Sequence, residues 1–134
     1  MRRQKDISAK EKALIIAEAA LDKKADKVVI VKMEKVATMC DFFVICSGNT
    51  ERKIKAISDN ISEKLRESNI KIWHREGYQD ASWVLIDCYD VVVHIFRKDV
   101  REFYNLEHLW ADAPKRYIQE KSVKKFREKT HLSN

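Results

Sequence analysis

Glycine and proline are nearly missing: the 134 residues include two glycines and one proline. Glycine gives the backbone left-handed freedom and proline interrupts regular hydrogen bonding. A chain poor in both is expected to be mostly helix and strand, with short loops. Long apolar runs are missing too. None approaches the about 20 residues of a membrane-spanning helix, which implies no membrane partner. The basic residues 1–6 are not followed by an apolar stretch, so they do not read as a secretory signal. Glu11, Glu18 and Asp22 do not suit a transit peptide, and the expectation is a cytoplasmic protein. Three cysteines, Cys40, Cys46 and Cys88, are an odd number without Cys-x-x-Cys spacing, and they read as reduced, buried thiols. No glycine-rich phosphate loop is present.

Charge is plentiful but uneven. Residues 1–37 carry 10 basic and 6 acidic groups, and residues 114–134 carry 7 and 2. Residues 38–113 carry 10 basic and 13 acidic groups, so the middle is the only net-negative part. The pI of about 9.2 therefore describes the ends. A nucleic-acid function taken from pI alone would miss this.

The length fits one folded domain. Ser8-Ala9-Lys10-Glu11 has the form of a capping box, and the spacing predicts an amphipathic helix over 8–22. Residues 28–31 and 42–46 are nearly continuous in apolar residues, as strands covered on both faces are. Asn49 or Thr50 is the expected N-cap of a second helix, whose Ile54, Ile57, Ile61 and Leu65 form one stripe. Ile70, Ile72 and His74 alternate with polar residues as a third strand. Residues 83–86 and 91–96 read as two more strands, joined by a hairpin over 87–90. Short helical pieces are expected over 100–104 and 106–110, and Pro114 suits the first turn of a last helix. The order α-β-β-α-β-β-β-α predicts an α/β fold, a mixed β-sheet with flanking helices. The folded domain is expected over 1–113, with a basic, helical or flexible C-terminal tail over 114–134.

The stretch ASWVLIDCYDVVVHIF (81–96) has the residue types of an active site. An Asp-x-Asp on one strand would place both carboxylates on one face and hold magnesium. Asp87 and Asp90 are instead three apart across a turn. His94 lies in the most apolar strand and reads as a hydrogen-bonded sheet histidine. Cys88 and His94 lack an orienting third group, and His74, His94 and His108 lack metal-ligand spacing. No catalytic residue, metal site or cofactor is expected. The alternatives to a binding module are a metal-dependent nucleotidyltransferase using Asp87 and Asp90, and an RNA-binding protein acting through its basic ends. The segment REFYNLEHLW (101–110) mixes large rings with charges, as interface anchors do. Phe103 and Leu106 read as core, while Trp83, Tyr104 and Trp110 suit either core or interface.

The segments DFFVICSGNTERKIKAISDNI (41–61), EG (76–77), WVLIDCYDVVVHIF (83–96) and REFYNLEHLW (101–110) together resemble the ribosomal silencing factor family, RsfS or Iojap. The likeness spans about residues 8–113. It implies a nucleotidyltransferase-like fold without catalytic residues, and a homodimer. It also implies binding to the fourteenth large-subunit ribosomal protein. That contact would block joining of the small subunit and lower translation when nutrients are scarce. Organelle members act in large-subunit assembly. By position, Trp83 and Tyr104 match the family's aromatic contacts, and Glu76, Asp87, Arg101, Glu107 and Trp110 match its shared surface. Family members often have glycine where Tyr89 stands. An acidic middle suits a basic ribosomal protein, and the basic ends, the tail above all, suit ribosomal RNA.

Overall fold

Helix α1 (Ala9–Asp22) begins with the expected capping box: the Ser8 hydroxyl accepts from the Glu11 amide and the Glu11 carboxylate accepts from the Ser8 amide. It leads into β1 (Asp26–Lys32), then β2 (Phe42–Gly48). Thr50 caps α2 (Glu51–Glu67), and the α2 stripe Ile54, Ile57, Ile61 and Leu65 is fully buried. Strands β3 (His74–Glu76), β4 (Trp83–Asp87) and β5 (Val91–Arg97) follow, then α3 (Lys98–Tyr104) and β6 (Lys115–Ile118). The computed structural model describes residues 7–33, 40–105, 108 and 111–119.

The six strands form one mixed sheet in the order β3-β4-β5-β2-β1-β6. Only β2 and β5 pair in parallel; the other pairs are antiparallel. Because successive side chains alternate between faces, register divides the strands cleanly. Val44, Cys46, Val84, Ile86, Val93 and Ile95 point toward α1 and α2 and join the larger core. Ile45, Phe96, Trp83, Val92 and Phe43 point the other way, into a smaller cluster with Val100 of α3.

Two expectations change. Lys115–Ile118, expected to begin a helix at Pro114, is an edge strand on β1, with Ile118 opposite Val28. Proline before an edge strand costs no ladder bond, and lysines are tolerated there. Thus part of the expected tail belongs to the sheet. The third strand starts at His74, later than Ile70, which is buried beside α2. The three cysteines are buried and unpaired, and burial pushes the Cys46 and Cys88 thiols up to about 12. No described helix is long and apolar enough to cross a membrane.

Candidate functional site

The face turned away from α1 and α2 is only partly covered. Its centre is Trp83 at the start of β4. The indole lies against Phe96 (centroids 4.8 Å) and Tyr104 (5.0 Å), and its N–H donates to His94 Nδ1 at 3.1 Å. His94 is 5% exposed and ringed by Phe43, Trp83 and Phe96. Burial lowers its pKa to about 4, so the imidazole is neutral. Accepting at Nδ1 places its proton on Nε2, which has no hydrogen-bond partner among the described residues. The expected sheet histidine is therefore an acceptor that fixes the Trp83 ring.

Around this centre lie half-buried Phe43, Leu85 and Val92. Sequence reasoning did not single them out. The period-2 alternation of β4 and the register of β2 with β5 are the signals that find them. Tyr104 is 49% exposed and meets Phe103 edge-on at 5.1 Å. Phe103, expected in the core, is 81% exposed. The reason is that α3 is turned over. Its buried residue is Arg101, 6% exposed, while its rings face outward.

Arg101, expected on the binding surface, points inward. Its Nη1 donates to the carbonyl of Lys27 (2.8 Å) and to Ser47 Oγ (3.1 Å). It thereby ties α3 to the irregular start of β1, where the register shifts between Asp26 and Val29. Its part in any surface is to hold Tyr104 in place.

Glu76 and Asp87 supply an acidic border. Register pairs Glu76 with Leu85 and Asp87 with both His74 and Val92, so both carboxylates stand on the Trp83 face. Glu76 is exposed and paired with His74. Asp87 also orders the hairpin, accepting from the Tyr89 amide at 2.9 Å. The turn before β4 depends on Gly77. Its φ is +83°, and a Cβ there would lie 2.1 Å from the Trp83 carbonyl oxygen. Any side chain at 77 would push β3 off the strand that carries Trp83. Glu107 and Trp110 lie outside the described residues.

The enzymatic alternative finds its carboxylates on opposite faces. Asp90 pairs with Lys12 of α1, behind the sheet from Asp87. Cys88 likewise packs in the α1 and α2 core, across the sheet from His94. Among the described residues no three His, Cys, Asp or Glu gather as a metal site would require.

What this geometry offers is a half-apolar face with acidic edges. A family model described as ribosomal silencing factor during starvation matches residues 6–134. A protein of Halalkalibacterium halodurans named ribosomal silencing factor RsfS is 46% identical over 108 residues, 81% of this chain and 92% of that one. The Bacillus subtilis protein of the same name is 44% identical over 100 residues, 75% and 85% of the two chains. A crystal structure of a Chromobacterium violaceum protein superimposes with a TM-score of 0.77 at 30% identity, covering 78% of this chain and 88% of its own. A crystal structure from Bacillus halodurans gives 0.72 at 43% identity, covering 81% and 99%. On sequence and fold alike, the chain belongs to the ribosomal silencing factor family.

Proposed function

We propose that this protein is a non-enzymatic anti-association factor. It binds the large ribosomal subunit through the fourteenth large-subunit protein, blocks joining of the small subunit and lowers translation under nutrient limitation. The observation that carries this reading is the Trp83 face. It has an aromatic centre fixed by a partly buried hydrogen bond, half-buried aliphatic neighbours, and Glu76 and Asp87 on its border. Stable interfaces join an apolar centre to a polar rim. An acidic rim matches a basic ribosomal protein and speeds its docking. A cytoplasmic homodimer belongs to the same reading, since closed twofold dimers are the commonest oligomers.

Co-sedimentation with purified subunits tests it. The protein is expected to travel with large subunits and, at saturation, to leave the small subunit unjoined. Sedimentation free of large subunits with normal joining sinks the proposal. Light scattering at high micromolar concentration tests the dimer, and a monomer mass there removes it.

A further inference from the structure

Far from the Trp83 face, α1 and the edge strand β6 leave two separate clefts between them. The first, about 270 Å³, has Leu14, Ile30 and Phe42 on its floor. Lys10, Arg116 and two further lysines line it, and no acidic residue does. The second, about 500 Å³, lies by Leu21 and Ile118, with Lys24 and Lys27 beside it and Asp26 as its one acid. Lys10, Lys24, Lys27 and Arg116 are exposed and make no ion pair with a described residue.

Lys24 and Lys27 also hold left-handed backbone, with φ of +62° and +47°. The first closes α1, where the Lys24 amide donates to the Leu21 carbonyl and the Ala25 amide to the Ala20 carbonyl, and the second lies where the register of β1 shifts, so both bends are set by the fold and place their lysines beside the second cleft. The buried guanidinium of Arg101 grips the Lys27 carbonyl and keeps this turn in place.

We infer that the α1–β6 groove is a track for single-stranded RNA, with basic side chains on the phosphates and an unstacked base in the cleft over Phe42. The inference deepens the ribosomal reading and rests on it for the source of the RNA. Four observations favour RNA over an acidic helix. Basic groups line both clefts, as a polyanion spanning the two needs. The apolar floor is broken into two holes, whereas a docked helix needs one continuous stripe. Leu14 and Leu21 are about 10 Å apart along α1, a span that a short stretch of single strand covers. An aromatic ring between lysines is the arrangement that stacks bases while neutralising phosphate. The contact therefore belongs to the folded groove, ahead of the basic residues beyond Gln119.

Fluorescence anisotropy with a labelled decaadenylate RNA, at several salt concentrations, tests this on the full chain. Lys10→Glu with Arg116→Glu is expected to weaken binding about tenfold and to flatten the log–log salt slope by about 0.7 for each lost phosphate contact. Both residues are exposed, and thermal melts check that the fold persists; Lys10→Gln with Arg116→Gln is the milder pair. Phe42→Leu, which stays apolar but lacks the ring, is expected to weaken binding several-fold at an unchanged slope. Lys121→Glu with Lys124→Glu, in the basic tail, and Trp83→Ala are expected to change RNA affinity little. Unaltered binding in the groove variants, or loss in the tail variant alone, overturns the inference. So does polyglutamate that competes as well as unlabelled RNA, which would assign the groove to an acidic protein. Trp83→Ala separates the two readings: if it leaves ribosomal-protein binding intact, the docking face fails while the groove result stands.

Discussion

The two faces of this sheet come from the same strands and serve opposite ends. Toward α1 and α2, every second residue enters a core of small and branched aliphatics, with Ile54, Ile57, Ile61 and Leu65 closing it from above. Toward α3, Ile45, His94 and Phe96 are buried, but Trp83, Leu85, Val92 and Phe43 are only half-buried. A seven-residue helix cannot cover six strands. Folding therefore draws most of its apolar stabilisation from one face and leaves the other with area for a partner.

The sharpest way to break that comparison is to truncate one side chain on each face. Ile61→Ala removes a fully buried side chain between α2 and the sheet and is expected to cost about 4 kcal/mol. Leu85→Ala, on the open face, is expected to cost about 1 kcal/mol. Denaturant unfolding of both variants measures the difference. Equal losses would mean that the open face is core after all.

Next in size is a pH effect seated under Trp83. Burial holds the His94 pKa at about 4, against 6.5 when unfolded. Between these values the unfolded chain takes up a proton that the native chain refuses. Stability from this group is complete above about pH 6.5, falls as pH drops toward 4, and is constant below. The full span is roughly 3 kcal/mol. Unfolding curves from pH 7 to 4 should show the slope, and His94→Gln should remove this component. A slope unchanged in His94→Gln would place the titrating group elsewhere.

What the sequence made legible was local or periodic. The Ser8 capping box, the α2 cap at Asn49 or Thr50 and the α2 apolar stripe each lie within a few turns of helix. Asp87 and Asp90 were separable because strand alternation has a fixed period. β6 was not legible, because its partner Val28 lies far away in the chain and Lys115-Arg116 looks like solvated helix. α3 was misread for a different reason. Propensity and apolarity put Phe103 inside, but the carbonyls at the irregular start of β1 attract a guanidinium, so Arg101 took the buried side. Departures from local rules are expected where a surface is kept for binding, and α3 carries Tyr104 on the face proposed to bind.

Within the open face, Tyr104 and Trp83 should behave differently. Tyr104→Ala removes a half-exposed ring and is expected to weaken binding of the ribosomal protein by about 2 kcal/mol with little change in melting. Trp83→Ala should weaken binding at least as much and also lower the melting temperature, because it empties the contact with Phe96 and strands His94 Nδ1. Calorimetric titration beside thermal melts separates the two effects. Normal binding by Tyr104→Ala would remove α3 from the interface.

The smallest effect lies at the hairpin tip, where the two faces meet. Tyr89 has φ of +77°, which a residue with a Cβ adopts at a cost of about 1–2 kcal/mol. The turn is held by the Asp87 carboxylate on the Tyr89 amide and by the Cys88 amide on the Val91 carbonyl. The ring is mostly exposed and leans on Trp73, with centroids 5.9 Å apart. Glycine relieves the backbone. It also loses the ring contact and loosens the unfolded chain, which takes back about 0.4–1 kcal/mol. Tyr89→Gly is therefore expected to raise stability by about 0.5 kcal/mol. Tyr89→Ala keeps the strain and loses the ring, so it should lower stability slightly. The gap between the two variants isolates the backbone contribution, since both lack the ring. Denaturation midpoints measured side by side read that gap. A glycine variant no more stable than the alanine variant would show that the left-handed tip is not strained. In both variants, ribosomal-protein binding should match the parent, because the tip lies beyond the Trp83 face.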